Sequence, residues 1–241
     1  MYRIVGTVTA LAVLLGALPA QATERADPVW RTSGWAGYVV RNAAGSFTAV
    51  RASWTEAHVV CNRLDSSMST WVGLGGTRTS STALEQIGTS ADCDGRGTLS
   101  HSAWYQLYPS PPVAVPVTVR AGDVVRSSVT VNGATVTLAL TNVRTGTSFS
   151  VRRLGRWIET DSAEWIVEAP AACFATCVSL PLPDFGRVRF VDAWTSTEDH
   201  AGPIGDGTWT RLRLEFAAGR RSARASALSD RGSSFAVALA R

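Results

Sequence analysis

The chain has 241 residues, 45% of them hydrophobic, and a formal net charge of +4 at pH 7. All 23 of its basic residues are arginine, and dense stretches such as Arg152–Arg153 and Arg220–Arg221 lack the interleaved aromatic residues of a base-stacking groove. This composition argues against nucleic-acid binding. It fits a single domain, because β-sandwiches often exceed 200 residues undivided and no linker or repeat divides the chain.

The first 22 residues have the pattern of a secretory signal peptide. Arg3 precedes the mostly apolar stretch 4–18, and Ala20-Gln21-Ala22 has the small-x-small form of a signal-peptidase site. The apolar stretch is shorter than the roughly 20 residues that cross a bilayer. We therefore expect a signal peptide at 1–22, a short segment at 23–33 and one domain at 34–241. The product would be a secreted monomer that binds no membrane, with an uncleaved anchor as the alternative.

From residue 34 onward the sequence consists of short β-rich runs bounded by turn residues. No window shows a sustained helical period, and Asn132-Gly133 is a strong two-residue hairpin signal. Regular spacing of such runs is typical of an antiparallel sandwich or jelly roll. We predict strands at 37–40, 47–54, 69–74, 83–88, 103–108, 115–119, 124–131, 134–142, 148–151, 163–168, 188–193, 208–216 and 234–239.

Four cysteines in an exported chain suggest two disulfides. Proximity in chain order pairs Cys61 with Cys93 and Cys173 with Cys177. The alternative is a zinc site that combines cysteines with histidines, but no close Cys/His spacing supports it. We therefore expect two disulfides and no metal.

The predicted strand 163–168 carries two carboxylates on one face. With a two-residue repeat, Glu164, Ile166 and Glu168 share one side of the strand, and Trp165 and Val167 share the other. Four residue steps separate the two acidic positions by about 13 Å, whereas a glycosidase pair lies roughly 5 to 9.5 Å apart. The spacing excludes such a pair within this strand, so any catalytic partner comes from elsewhere in the sequence.

Nine tryptophans in one domain also need an explanation. Large indoles either fill a core or wall a cleft for an extended ligand. Core packing is the default for any single one, and together they are consistent with an aromatic-lined face. Those in or next to predicted strands are Trp35, Trp54, Trp71, Trp104 and Trp165.

Five short motifs follow one another between about 33 and 191. They are GWAG at 34–37, WVGLGG at 71–76, LEQIG at 84–88, AWYQLYP at 103–109 and AEWIVE at 163–168. Their order and spacing resemble those of the glutamic peptidases, or eqolisins. The resemblance implies a secreted, acid-acting, pepstatin-insensitive endopeptidase that cleaves polypeptides without a cofactor. It also implies an all-β, jelly-roll or concanavalin-like sandwich of two curved antiparallel sheets, with a Gln/Glu dyad on the concave face.

Carried over position by position, the resemblance puts the catalytic glutamine at Gln86 and the catalytic glutamate at Glu168, with Glu164 as the fallback acid. Glu168 as carboxylate would take a proton from the attacking water and return it to the departing amine. Gln86 offers an amide oxygen to hold the water and an amide NH₂ to stabilise the oxyanion. The expected substrate-binding residues are Trp35, Trp71, Trp104, Tyr105 and Glu164.

The sequence departs from the family pattern in the surroundings of this dyad. Gly75 stands where the family often has an acid, and Ser102 and Gln106 replace two acids of a Tyr-Asp-x-Trp-Tyr-Glu run. We expect these changes to lower activity or to move its optimum toward neutral pH. They leave open a second function, a sandwich that binds peptide or glycan without cleaving it.

A conventional Ser-His-Asp hydrolase is a third and weaker interpretation. The chain has three histidines and no Gly-x-Ser-x-Gly nucleophile elbow to accompany one of them. The histidines are His58, His101 and His200.

Overall fold

The computed structural model describes residues 27–42, 46–173, 177–218 and 221–240. Within these ranges the chain forms strands, turns and loops, and no stretch of helix that could cross a bilayer occurs. The predicted signal peptide lies outside the described residues. The strands are β1 (Val29–Thr32), β2 (Trp35–Arg41), β3 (Ala49–Thr55), β4 (Ser66–Gly75), β5 (Leu84–Cys93), β6 (Leu99–Tyr108), β7 (Val113–Ala114), β8 (Val124–Asn132), β9 (Thr135–Asn142), β10 (Ser148–Leu154), β11 (Ser162–Glu168), β12 (Ala171–Cys173), β13 (Cys177–Ser179), β14 (Arg187–Ser196), β15 (Ala201–Pro203), β16 (Thr210–Ala218), β17 (Arg221–Ala225) and β18 (Phe235–Ala240).

Sixteen of these strands form one sheet, and β12 and β13 form a separate pair. The spatial order of the large sheet is β10-β9-β8-β3-β14-β18-β17-β16-β2-β11-β4-β5-β6-β7, with β1 beside β16 and β15 beside β14. Its neighbours run antiparallel, except that β1 and β16 are parallel. The strand β11 therefore lies between β2 and β4, in the interior of the sheet.

The large sheet folds over so that its two halves face each other. Strands that are far apart in hydrogen-bonding order are in contact, such as β4 with β8 and β5 with β9. Side chains of both halves fill the space between them. Tyr105 of β6 stacks on Phe149 of β10, with 6.0 Å between ring centroids, and the Trp165 indole of β11 donates to the Arg51 carbonyl of β3 at 2.9 Å. The all-β sandwich is confirmed, and its layers are continuous through β17 and β16.

The strand predictions are mostly confirmed, with shifted ends, but the one at 115–119 is wrong. Val115, Val117 and Val119 are buried and alternate with exposed neighbours, as in a strand. Pro116 between them has no N–H to donate to a ladder. Val115 donates its N–H to the Ala103 carbonyl of β6, but within the described residues the segment forms no strand of its own. Very short strands, such as β1 and β7, were not predicted, because they contain too few alternating positions to give a periodic signal.

The predicted disulfide between Cys61 and Cys93 is confirmed. It ties the loop after β3 to the end of β5. The backbones of Cys173 and Cys177 are opposite each other in the β12–β13 pair, but their side chains lie outside the described residues. That second pairing stays a prediction.

Replacing both Cys61 and Cys93 by alanine is expected to lower the free energy of unfolding. The two cysteines are 32 residues apart, and the chain-entropy model gives about 3 to 4 kcal/mol for closing a loop of that length. Urea unfolding of the double variant and of the wild type measures the difference. A loss of less than about 1 kcal/mol would contradict a stabilising role for this disulfide.

Candidate active site

The predicted site residues share one face of the layer that contains β11, β4, β5 and β6. Glu168 stands opposite Ser69 of β4, and Ser69 stands opposite Ser90 of β5. Four residues earlier on β5, Gln86 stands opposite Gln106 of β6. Because residues two apart on a strand point to the same side, all five side chains point to one side of the sheet.

This face of the sheet forms an open groove of about 570 Å³. Gln86 and Glu168 both line it, although they are far apart in sequence. The loop and short strand around Pro112 and Ala114 contribute to its lining, as do residues around the β12–β13 pair, including Pro170 and Leu180. The fold therefore brings Gln86 and Glu168 to one face of the sheet, with their Cα atoms about 16 Å apart across two strand spacings and four residue steps. Glu164 is level with Gln86, because both stand opposite Gly73.

Trp71 lies on the diagonal between Glu168 and Gln86. Its fully buried indole donates its N–H to Glu168 Oε2 at 2.8 Å, and its ring packs edge-on against Trp35 at 4.9 Å. Trp71 stands opposite Gly88 of β5. A Cβ at Gly88 would lie 2.5 Å from the Trp71 Cβ, so only glycine lets β5 approach this closely. Trp71 is thus a positioning residue for the carboxylate.

The Glu168 carboxyl is partly withdrawn from water. Burial raises the pKa of Glu168 above that of an ordinary glutamate, and the hydrogen bonds from the indoles of Trp71 and Trp35 offset part of the rise by stabilising the carboxylate. The strand β11 ends at Glu168 because Pro170 cannot donate to a ladder. The raised pKa of Glu168 lies closer to neutral pH than that of an ordinary glutamate. Such a pKa suits a group that both accepts and returns a proton.

The Gln86 side chain is buried and held by one hydrogen bond. Its Nε2 donates to Gln106 Oε1 at 2.8 Å, and Gln106 Nε2 donates in turn to the Ser110 carbonyl at 2.8 Å. Within the described residues, Gln86 Oε1 accepts no hydrogen bond. The amide therefore has an unused acceptor, which is buried in this conformation, and a second N–H for another acceptor.

The other expected substrate-binding residues divide between the groove and the core. Trp104 lines the groove and donates its indole N–H to Ser90 Oγ at 2.8 Å. Trp35 lines a second groove of about 240 Å³ on the β2 side of the same face. Tyr105 instead points between the layers, and Glu164 is fully buried. Neither of these two is among the residues that line either groove.

The departures from the family pattern have distinct structural consequences. Gly75 has a φ of +83°, and a Cβ there would lie 2.4 Å from the Glu159 carbonyl oxygen, so this backbone excludes an acidic side chain. Ser102 and Gln106 both line the groove. Gln106 acts there as a neutral acceptor for Gln86.

The groove contains an acidic residue that lies beyond the predicted strand 83–88. Asp92 also lines the groove, because β5 continues to Cys93 and Asp92 shares the face of Gln86. The predicted strand ended at Gly88. The available signal was the continued alternation of Gln86, Gly88, Ser90 and Asp92 beyond that glycine.

The fold and the groove together define a β-sandwich peptidase of the glutamic type. The model of the Peptidase A4 family matches residues 33–233. The chain therefore belongs to the peptidase A4 family and is a glutamic endopeptidase. A search of curated proteins finds no match.

Several solved structures are similar to the chain. Scytalido-glutamic peptidase bound to a peptide-based transition state analog has 22% identity and a TM-score of 0.73, and the match covers 86% of this chain and 98% of that one. SCP-B, an eqolisin bound to a tripeptide, has 21% identity and a TM-score of 0.69, with coverages of 86% and 98%. Aspergilloglutamic peptidase from Aspergillus niger has 25% identity and a TM-score of 0.59, with coverages of 73% and 99%.

Proposed function

We propose that the protein is a secreted, acid-acting endopeptidase that hydrolyses unfolded or extended polypeptides with a Gln86/Glu168 dyad and an activated water. The observation that carries the proposal is the common groove lined by Gln86 and by Glu168, whose carboxylate is held by Trp71. Further support comes from relatives of the same fold that bind a peptide-based transition state analog and a tripeptide. An open groove also suits an extended chain better than a folded one.

The reaction begins with Glu168 ionised. Its carboxylate takes a proton from a water molecule, and the water oxygen attacks the carbonyl carbon of the scissile peptide bond. The carbonyl electrons move onto its oxygen, which Gln86 stabilises through its free amide N–H. The protonated Glu168 then gives its proton to the departing nitrogen, and the C–N bond breaks. The products are a carboxylic acid, an amine and the regenerated carboxylate.

The hydrogen-bond partners of Glu168 are the neutral indoles of Trp71 and Trp35. A second carboxylate beside Glu168 would share its proton and separate the two pKa values. Gln86 and Gln106 are amides, so their donors and acceptors persist at every working pH. The lower pH limit of the reaction is therefore set by protonation of Glu168.

Trp71→Phe is expected to move the acid limb of the pH–rate profile to higher pH. The change removes the indole donor to Glu168 Oε2, so the carboxylate loses stabilisation and the pKa of Glu168 rises further. We expect kcat to fall about tenfold, since a hydrogen bond to a charged group contributes about 1.5 to 3 kcal/mol. Trp104→Phe is the matched control, and it should change KM without moving the limb. An unmoved limb in Trp71→Phe would contradict the positioning role.

Cleavage of denatured casein by the purified mature protein tests the proposed function. The assay covers about pH 2 to 8, the range of carboxyl titration, with pepstatin present. We expect pepstatin-resistant cleavage that is fastest at acidic pH. A folded protein with no cleavage at any pH would overturn the proposal, and N-terminal mass spectrometry of the exported protein tests the signal peptide.

A second candidate function is binding of peptide or glycan without hydrolysis. The observation that favours it is the neutral lining at Ser102 and Gln106, where the family pattern has acids. Peptide affinity without turnover, or a response on a glycan array, would support this function over the first. Turnover that depends on Glu168 would exclude it.

A further inference from the structure

The second groove on this face, of about 240 Å³, contains a charge that the proposed reaction does not use. Trp30 and Trp35 line this groove beside β2 and β16, and so do the buried side chains of Val39 and Leu214. Within the described residues, Arg41 is the one charged member of its lining. The groove is therefore mostly apolar, with a guanidinium and a few hydroxyl groups as its polar side chains.

The Arg41 guanidinium is held by the loop after β4. Its Nη2 donates to the Thr77 carbonyl at 2.9 Å and to Thr77 Oγ1 at 3.0 Å. Thr77 is itself anchored to β11, because its hydroxyl donates to Ser162 Oγ at 2.9 Å. Arg78 and Arg211 each form an ion pair with an aspartate. Arg41 has no such partner among the described residues, and its buried Nε donates to no acceptor there.

A buried carboxyl near Arg41 does not neutralise it at acidic pH. Burial raises the pKa of Glu164 well above its usual value, and the charge of Arg41 offsets only a small part of that rise. At about pH 5, Glu164 is therefore protonated, whereas an arginine is charged and an ordinary aspartate or glutamate of a substrate is mostly ionised. The groove then presents a positive charge to a substrate carboxylate.

The register gives the distance between Arg41 and the proposed dyad. Glu168 stands opposite Trp35, six residue steps before Arg41 on the same face of β2. This puts the Cα atoms of Glu168 and Arg41 about 20 Å apart. Gln86 is level with Val39, three strand spacings and two residue steps from Arg41, or about 16 Å. An extended peptide covers such distances in about five or six residues.

We propose that this groove binds a substrate carboxylate through Arg41, about four to six residues from the scissile bond, and packs a neighbouring apolar residue of the substrate against Trp30 and Trp35. The inference rests on the proposed function, because it names a substrate class for the same face. The carboxylate belongs to an aspartate or glutamate side chain or to the C terminus of the peptide. A planar guanidinium binds either one through two parallel hydrogen bonds. Thr77 is a positioning residue for the guanidinium.

The first test identifies the position and source of the carboxylate. Wild-type protein digests two degenerate tetradecapeptide libraries at about pH 5, one with a free C terminus and one amidated, and mass spectrometry locates the cleaved bonds. Enrichment of aspartate and glutamate at one position in the stated interval identifies a side chain. Cleavage at a fixed distance from the C terminus that amidation abolishes identifies the terminal carboxylate. Cleavage with neither pattern overturns the site and leaves the proposed function intact.

The second test assigns the preference to Arg41. A peptide with the preferred carboxylate is compared with its amide twin, which has nearly the same shape and no charge. We expect wild type to prefer the carboxylate about tenfold in kcat/KM, and Arg41→Gln to reduce the ratio to below about twofold. A ratio that Arg41→Gln leaves unchanged overturns the assignment.

Two further variants separate the local contact from net charge and from folding. Arg126→Gln removes the same charge from an exposed position on β8, in the opposite layer, and should keep the full preference. If it loses the preference as Arg41→Gln does, the effect is long-range charge and no site exists. If Arg41→Gln does not fold, Trp30→Ala at an exposed position decides. It should raise KM several-fold for peptides with phenylalanine beside the carboxylate, and an unchanged KM overturns the site.

Binding measurements keep the inference testable if no cleavage occurs. In that case the proposed function fails, and calorimetry with the wild-type protein compares an acetylated phenylalanyl-glutamate peptide with its phenylalanyl-glutamine twin, each with a free and an amidated C terminus. Tighter binding of a carboxylate form that Arg41→Gln abolishes supports the site in a binding protein. Equal affinities overturn it, and thermal melting confirms that each variant is folded.

Discussion

Glu168→Gln is expected to lower kcat for peptide hydrolysis by about a thousandfold or more, because an amide cannot take the proton of the attacking water. The replacement keeps the size of the side chain, and its amide oxygen can still accept the Trp71 indole N–H. A loss of activity without a loss of stability would therefore report on proton transfer. Casein cleavage and thermal melting of the same preparation give both values.

The chain offers a matched control for this variant in Glu164→Gln. It makes the same chemical change on the same face of β11, four residues earlier, where the side chain is fully buried and outside the groove. Activity at acidic pH should survive it. If Glu164→Gln were inactive and Glu168→Gln active, the fallback acid would be the catalytic one and the assignment would be reversed.

Gln86→Ala is expected to lower kcat by about a hundred- to a thousandfold, the usual effect of removing one oxyanion donor. The Gln86/Glu168 double variant should be little worse than Glu168→Gln alone, since both groups act on the same water. Multiplicative losses in the double variant would mean that the two residues act independently, contrary to a dyad.

The shared face of Gln86 and Glu168 could be predicted from the sequence only in part. Alternation within 163–168 correctly put Glu164, Ile166 and Glu168 on one side of the strand. It could not tell which acid is accessible, because that depends on neighbouring strands distant in sequence. Glu164 faces Val39 of β2 and Gly73 of β4 across the ladder, whereas Glu168 is at the end of β11 where the groove opens.

Two other differences between prediction and structure have a local signal in the sequence. Tyr105 was expected in the cleft with Trp104, yet adjacent residues of a strand point to opposite faces, and Tyr105 packs between the layers. The predicted strand 83–88 ends at Gly88, whereas a glycine inside a strand also marks a close approach of another element. The residue that approaches Gly88 closely is Trp71. Because β5 continues past Gly88, it also contains Asp92, which the shorter predicted strand does not include.

Protein stability is expected to fall as the pH rises from about 4.5 to about 8. Glu85 and Glu164 are fully buried, and within the described residues their carboxyl oxygens have no hydrogen-bond partner. Burial raises the pKa of Glu85 to about 8 and raises the pKa of Glu164 well above its usual value. Below pH 4.5 both groups are protonated in the folded and unfolded chain, so neither penalises folding.

Above pH 4.5 the unfolded chain releases these protons while the folded chain retains them. Each such group lowers the free energy of unfolding by about 1.4 kcal/mol per pH unit until its folded pKa is reached. For Glu85 the loss amounts to roughly 4 to 5 kcal/mol by pH 8. That is a large share of the 5 to 15 kcal/mol that is typical of a folded domain.

Glu85→Gln and Glu164→Gln should each flatten the dependence of stability on pH, with little change at pH 4. Urea unfolding at several pH values measures the slope. Glu198→Gln, at an exposed position, removes the same charge and should leave the slope as it is. A wild-type protein equally stable at pH 4 and pH 8 would contradict the burial of uncompensated carboxyls.

These variants also separate two causes of an upper pH limit. Glu168 remains a competent base above its pKa, so its own titration gives no reason for activity to fall as the pH rises. If unfolding sets the limit, Glu85→Gln should extend activity toward neutral pH by the same interval over which it restores folding. If activity stops at the same pH in a fully folded Glu85→Gln protein, unfolding does not set the limit, and the limit lies in the groove itself.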